Sequence, residues 1–176
     1  TLCAGSRASA ALHVVSTTPE YGAIASAIGG DKVVVANLAK ATEDPHFVDA
    51  KPSHLVTLNR ADVLIEGGAD LEAGWLPPLL DGARNPKIAV GAPGHIRANE
   101  QVQLLDVPTT LDRSQGDVHA AGNPHFMMDP VNAKIVAAHI AKVFCSLDAA
   151  SCPAYTANMQ AFTAKLDGKI ADWTAA

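Results

Sequence analysis

Residues 12–38 read LHVVSTTPEYGAIASAIGGDKVVVANL. Two apolar runs, Leu12 to Thr17 and Lys32 to Leu38, have strand character, and the second is rich in β-branched valine. Between them Pro19 to Ile28 has helical character. Thr18 stands at the N-cap, Pro19 occupies the first helical position, where no N–H is required, and Gly29-Gly30 ends the helix.

Outward from this unit the alternation continues. Pro52 to Arg60 reads as a short helix and Val63 to Glu66 as a third strand. Leu71 to Leu80 reads as a helix around Trp75, disturbed by Pro77-Pro78. Ile88 to Val90 reads as a fourth strand and Val102 to Leu105 as a short fifth. Strands alternating with helices predict an α/β fold with a parallel four-stranded sheet flanked by helices. In such sheets ligands sit beyond the carboxyl ends of the strands, which singles out the loops after Ala36 and after the last strand.

The C-terminal part changes character. Asp129-Pro130 is an N-cap followed by proline, opening a helix to about Leu147 whose apolar positions Val131, Ile135, Val136, Ile140, Val143 and Phe144 have helical spacing. Pro153 starts a second helix, in which Tyr155, Met159, Phe162, Leu166, Ile170 and Trp173 recur at steps of three or four. That stripe reads as a packing face rather than a cofactor site. Trp173, so near the chain end, either packs on the same body or belongs to a longer design.

A chain of 176 residues accommodates one domain with a core, or one lobe and part of another. With 48% hydrophobic but only 5% aromatic residues, the core is built mainly from Ala, Val, Leu and Ile. A net charge of −5 gives no basic footprint for nucleic acid. No Lys/Arg-rich amphipathic helix suggests a membrane surface, and no apolar run approaches the roughly 20 residues of a membrane span. At the N-terminus, Ala8-Ser9-Ala10 fits the small-residue pattern before a signal-peptidase cut, with a disordered Ala/Ser-rich tail as the alternative for residues 1–10. Thr1-Leu2 before Cys3 is a poor match to a lipid-attachment site. Cys145 and Cys152 flank a short segment between two helices. A disulfide there would indicate an oxidising compartment, and the alternative is two small apolar side chains.

Seven histidines require sorting. His13 in a strand, His54 on a helix and His139 in the apolar helix read as packed or surface residues, and His95, in Pro-Gly-His, as a solvent-facing loop residue. His46 and His125 differ, because both sit in Asx-Pro-His-Phe, as Asp44-Pro45-His46-Phe47 and Asn123-Pro124-His125-Phe126. Proline stiffens the backbone before each imidazole, and the following Phe is placed to shield it. Two rigidly presented imidazoles at one end of a sheet suit a tetrahedral metal site. His119, six residues before His125, reads as a third ligand, a residue behind the ligands, or a surface histidine. Asp44 and Asp117 are candidates to accept an imidazole N–H and fix the tautomer, or are ordinary turn residues.

Taken in order, the Thr18-Pro19 helix start, Asp44-Pro45-His46, Ala61-Asp62-Val63-Leu64-Ile65 with Gly67-Gly68, and the string Gly116-Asp117-Val118-His119-Ala120-Ala121-Gly122-Asn123-Pro124-His125 through Asp129-Pro130 resemble the zinc/manganese substrate-binding proteins of bacterial ABC importers. The resemblance runs from about Ala11 to the chain end. It implies two lobes joined by one long rigid helix, with the metal in the cleft between them. In that family the first lobe contributes two histidines, which His46 and His125 match, and the second contributes a His or Glu and an Asp or Glu. The implied division is residues 11–150 as the N-terminal lobe and 151–176 as the start of the connecting helix, with the second lobe and its ligands outside the chain. The implied cofactor is zinc, with manganese as the alternative. The implied setting is the periplasm, and the implied partners are an ABC importer permease and a metallochaperone. Two imidazoles leave half of a tetrahedral shell to water, so weak binding, or ligands borrowed from a neighbour, is expected, together with self-association through the exposed helix.

Other functional classes fit less well. A metal-dependent hydrolase lacks a His-Glu-x-x-His arrangement, and no Gly-x-Ser-x-Gly elbow is present. A nucleotide site lacks Gly-x-Gly-x-x-Gly or a phosphate loop after the first strand. An adhesin or other interaction protein on the same scaffold remains compatible with the sequence.

Overall fold

The computed structural model describes residues 10–110 and 119–176; Cys3, most of the candidate cleavage site and Asp117 lie outside the described residues. The chain opens with β1 (Leu12–Ser16), α1 (Pro19–Gly29) and β2 (Val33–Asn37), the strand–helix–strand unit expected from residues 12–38. There follow α2 (Pro52–Asn59), β3 (Val63–Glu66), α3 (Leu76–Ala83), β4 (His95–Arg97), α4 (Pro130–Leu147) and α5 (Cys152–Ala175). The sheet is four-stranded and parallel throughout, in the order β2-β1-β3-β4, with Val14 paired to both Val35 and Val63.

Because successive strand residues face opposite sides, neighbours in one strand serve two cores. Val14 and Ile65 join Ile24, Ile28, Val136, Ile140, Phe144 and Tyr155 under α1, α4 and α5. Val15 and Leu64 join Leu58, Leu76, Leu79 and Ile88 under α2 and α3. Both faces of the sheet are covered, which explains why its strands are short continuous apolar runs.

Three expectations about the elements are corrected. Ile88 to Val90 is not a strand. Pro86–Ile88 forms a 3-10 turn, with the Asn85 side chain accepting the Lys87 N–H at 3.0 Å, and Val90 faces solvent. The fourth strand is His95–Arg97, entered where the Gly94 carbonyl accepts the Leu64 N–H at 2.8 Å. A Cβ at Gly94 would collide with the Asp62 and Lys87 carbonyls, so only glycine allows the chain this close. Val102 to Leu105 is not a strand either. α3 begins at Leu76 rather than Leu71, and Pro77-Pro78 lie in its first turn, where their missing N–H groups leave no hydrogen bond unmade.

The α4 start is as expected, since Asp129 accepts the Val131 N–H at 2.8 Å. Thr18 takes the N-cap position of α1 without a side-chain cap, and its buried hydroxyl has no partner among the described residues. Cys145 and Cys152 form a disulfide that ties the end of α4 to the start of α5. Closing so short a loop stabilises the fold by on the order of 2 kcal/mol. Along α5, Tyr155 is buried, Met159 and Phe162 pack on the core, and Trp173 is exposed.

His54 and His139 each carry a buried ring nitrogen without a partner among the described residues, and burial lowers both pKa values. The neutral imidazoles are favoured in the folded state, whereas the unfolded chain takes up protons below a pKa of about 6.5. Stability is therefore retained above that pH and lost as the pH falls below it. In the presence of a chelator, the melting temperature should drop between pH 7.5 and pH 5, and drop less in a His54→Gln/His139→Gln double variant. Identical pH dependence in the two proteins would contradict this assignment.

Candidate metal centre

Beyond the carboxyl end of β2 the pairing continues for two residues, with Leu38 and Ala39 N–H groups donating to the Ser16 and Thr17 carbonyls, each at 2.9 Å. The chain then turns into the loop that carries His46. The Asp44 Oδ1 accepts the His46 backbone N–H at 2.9 Å. In the loop following β4, Asn123 Oδ1 accepts the His125 backbone N–H at 2.9 Å. Both are the same Asx turn, closed across a proline by a side chain that substitutes for a backbone acceptor. Two loops of unrelated length thus present a histidine by one local device. The second loop is fixed further by Asn123, whose N–H donates to the Leu105 carbonyl at 2.8 Å and whose amide reaches Asp106 at 3.1 Å.

These turns bring three imidazoles together. The His46 ring centre lies 5.2 Å from that of His119 and 5.3 Å from that of His125. Two imidazoles bound through nitrogen to one tetrahedral ion, at about 2.1 Å each, have ring centres about 5 Å apart. Among the described residues no group of three His, Cys, Asp or Glu already stands ready to hold an ion.

Asp44 Oδ1 also lies 2.8 Å from His46 Nδ1. That carboxylate is held below its ordinary range first by the His46 backbone N–H and then by the ring. An ionised acceptor there places the ring proton on Nδ1 and leaves the Nε2 lone pair available, as metal-binding imidazoles require.

The two phenylalanines of the paired motifs behave differently. Phe126 is buried in the α4-side core and anchors the His125 turn, whereas Phe47 is 74% exposed and shields nothing, 6.2 Å from the His46 ring. The expected shielding of His46 by Phe47 is therefore corrected. His13 and His139 lie apart from the cluster on β1 and α4, and His54 is packed on α2. His95 is not the expected solvent-facing loop residue. It lies in β4 with a side chain only 1% exposed, its Nε2 3.4 Å from Glu66 Oε1, because pairing with Leu64 of β3 draws it into the sheet.

Two residues that sequence reasoning passed over support the His46 loop. Trp75 Nε1 donates to the Pro45 carbonyl at 2.8 Å, and the buried Glu72 carboxylate accepts the Thr17 hydroxyl and the Gly67 and Gly68 N–H groups. The available signal was an acidic residue embedded among Leu71, Ala73 and Trp75, where a helix face had no use for it.

Comparison with known proteins identifies the family of the chain. A family model described as zinc-uptake complex component A, periplasmic, matches residues 14–176. The chain is 25% identical over 159 residues to the manganese ABC transporter substrate-binding lipoprotein PsaA of Streptococcus anginosus, covering 89% of this chain and 48% of that protein. Identity and coverage are the same for the iron ABC transporter substrate-binding lipoprotein MtsA of Streptococcus pyogenes serotype M1. The crystal structure of a ZnuA 138–173 deletion mutant with zinc bound superposes with a TM-score of 0.72 at 26% identity, covering 89% of this chain and 55% of that one. The chain thus spans about half the length of the relatives it matches. The two streptococcal relatives are named as substrate-binding lipoproteins of ABC transporters, not as enzymes. With the family model covering nearly its whole length, the chain belongs to the family of the periplasmic component A of zinc-uptake complexes.

Proposed function

We propose that this chain is the metal-capturing lobe, residues 11–150, of a periplasmic substrate-binding protein that takes zinc and delivers it to an ABC importer permease, with α5 running on as the connecting helix. The observation that carries this reading is the pair of ring-centre distances from His46, 5.2 Å to His119 and 5.3 Å to His125, which suits imidazoles converging on one tetrahedral ion. In this reading His46, His125 and His119 are ligands, and Asp44 holds His46 in the tautomer that exposes Nε2. Zinc is favoured because the donors are all nitrogen. Manganese prefers oxygen and binds a given nitrogen site more weakly. The manganese reading keeps one support, the name of the S. anginosus relative.

Three imidazoles leave one position to water, so binding is weaker than in a closed four-ligand site. An affinity on the order of micromolar is expected at neutral pH. The test is a one-to-one titration of the monomeric chain with zinc and with manganese, in competition with a chelating dye. Zinc should bind the more tightly of the two. Tighter manganese binding would remove zinc from the proposal, and failure to bind either would remove the metal site.

A further inference from the structure

Between β3 and α3 the chain makes an unusual turn. Gly68, Ala69 and Asp70 have φ of 72°, 52° and 65°, three successive residues in the left-handed region that side chains disfavour. Strain of this kind persists only where the surroundings over-determine it, and it concentrates near functional sites. Here the over-determining group is Glu72. Its side chain returns over the turn to accept the Gly67 N–H at 2.7 Å and the Gly68 N–H at 3.1 Å, and it accepts the Thr17 hydroxyl at 2.6 Å. Thr17 follows β1 and Gly67 follows β3, so one buried carboxylate ties together the carboxyl ends of two adjacent strands.

The Glu72 backbone carbonyl accepts the N–H groups of Trp75 and Leu76, at 3.1 and 3.0 Å, and so starts α3. Trp75 is itself buried, and its indole N–H donates to the Pro45 carbonyl at 2.8 Å. That carbonyl belongs to the peptide between Pro45 and His46. The N–H of the same peptide donates to Asp44 Oδ1 at 2.9 Å. The plane that sets the direction of His46 is therefore held from both sides, by Asp44 within its own loop and by Trp75 from the start of α3.

We infer that Glu72 and Trp75 are positioning residues for the histidine cluster, the carboxylate fixing the strained turn and the indole transmitting that fixed frame to the Pro45–His46 peptide. The inference rests on the metal-site reading above. Neither residue touches the ion. Their contribution is to hold His46 close to the other two rings before the ion arrives, which lowers the ordering that binding requires.

The test compares Trp75→Phe, Glu72→Gln and His46→Ala in the full chain, reading zinc affinity by dye competition and melting temperature in chelator. Trp75→Phe keeps the aromatic packing and removes only the indole donor. It should lower zinc affinity about tenfold, the usual range for groups that orient a ligand, with the metal-free melting temperature close to wild type. It should also broaden the His46 ring resonances in a histidine-selective 15N spectrum, which a purely structural role would leave unchanged. Glu72→Gln should do the same, since its NH2 cannot accept the Gly68 N–H that the second carboxylate oxygen takes. Wild-type affinity in Trp75→Phe overturns the inference while leaving the metal site standing. Wild-type affinity in His46→Ala overturns the metal site and the inference with it. An affinity loss in Trp75→Phe with unchanged His46 resonances also overturns the positioning role.

Discussion

Replacing His46 with alanine should lower zinc affinity about 100-fold. A four-ligand zinc site releases on the order of 12 kcal/mol on binding, or about 3 kcal/mol for each ligand. Loss of one ligand therefore corresponds to about two powers of ten in Kd. His46 is the ring common to both close pairs, 5.2 Å from His119 and 5.3 Å from His125. His125→Ala should match it. His119→Ala separates the alternatives left open by the sequence: a ligand gives a comparable loss, and a residue behind the ligands gives a smaller one. His13, exposed on β1 away from the cluster, supplies the control, and His13→Ala should leave the titration unchanged. Isothermal calorimetry on the metal-free proteins measures all four. Equal affinities for the wild type and the His46 and His125 variants would end the assignment.

Stability has a different centre. Phe144→Ala should destabilise the fold by about 4 kcal/mol, the magnitude for truncating a buried aromatic ring. Phe144 is fully buried, and it meets the Tyr155 ring edge-on with centroids 5.3 Å apart. The contact joins α4 to α5 on the face of the sheet that those helices cover together with α1. A loss of that size corresponds to a fall in melting temperature of about 10 °C for a domain of this length. Urea unfolding should show a lower midpoint with an unchanged slope. A midpoint shift no larger than that of an exposed alanine substitution would show that this interior tolerates the void. Zinc affinity, measured well below the melting temperature, should be unaffected, which separates this variant from those at the histidines.

Where periodicity and capping act locally, the chain was legible. The β1–α1–β2 unit, the Asp129-Pro130 start of α4 and the first part of the α5 stripe, Tyr155 to Phe162, all rest on residues close together in sequence, and all are present as expected. β4 was not legible, because a three-residue strand has no period to detect. Its pairing depends on Gly94 approaching β3 more closely than any side chain permits. The misplacement then carried His95 from an expected solvent position into the sheet. At the site, the repeated Asx-Pro-His pattern identified the two loops, since an Asx turn is a local device. Sequence alone could not decide whether His119 joins them, because nothing local sets the distance between two loops. The support by Glu72 and Trp75 was hidden for the same reason, as their partners Thr17, Gly67 and Pro45 are adjacent only after folding.

Gly168 marks a boundary within α5. Up to Asp167 the helix is tied to the rest of the chain, first by Tyr155, Met159 and Phe162 in the core and last by the ion pair between Lys134 and Asp167. At Gly168 a Cβ would meet open space, and glycine weakens a helix interior by about 1 kcal/mol relative to alanine. Backbone amides before and after this residue therefore belong to different exchange regimes. Those around Tyr155 open only when the core opens, whereas those beyond Gly168 have the helix's own hydrogen bonds and, among the described residues, no core packing to protect them. The same helix is thus bound to the core at one end and protected by its own hydrogen bonds at the other.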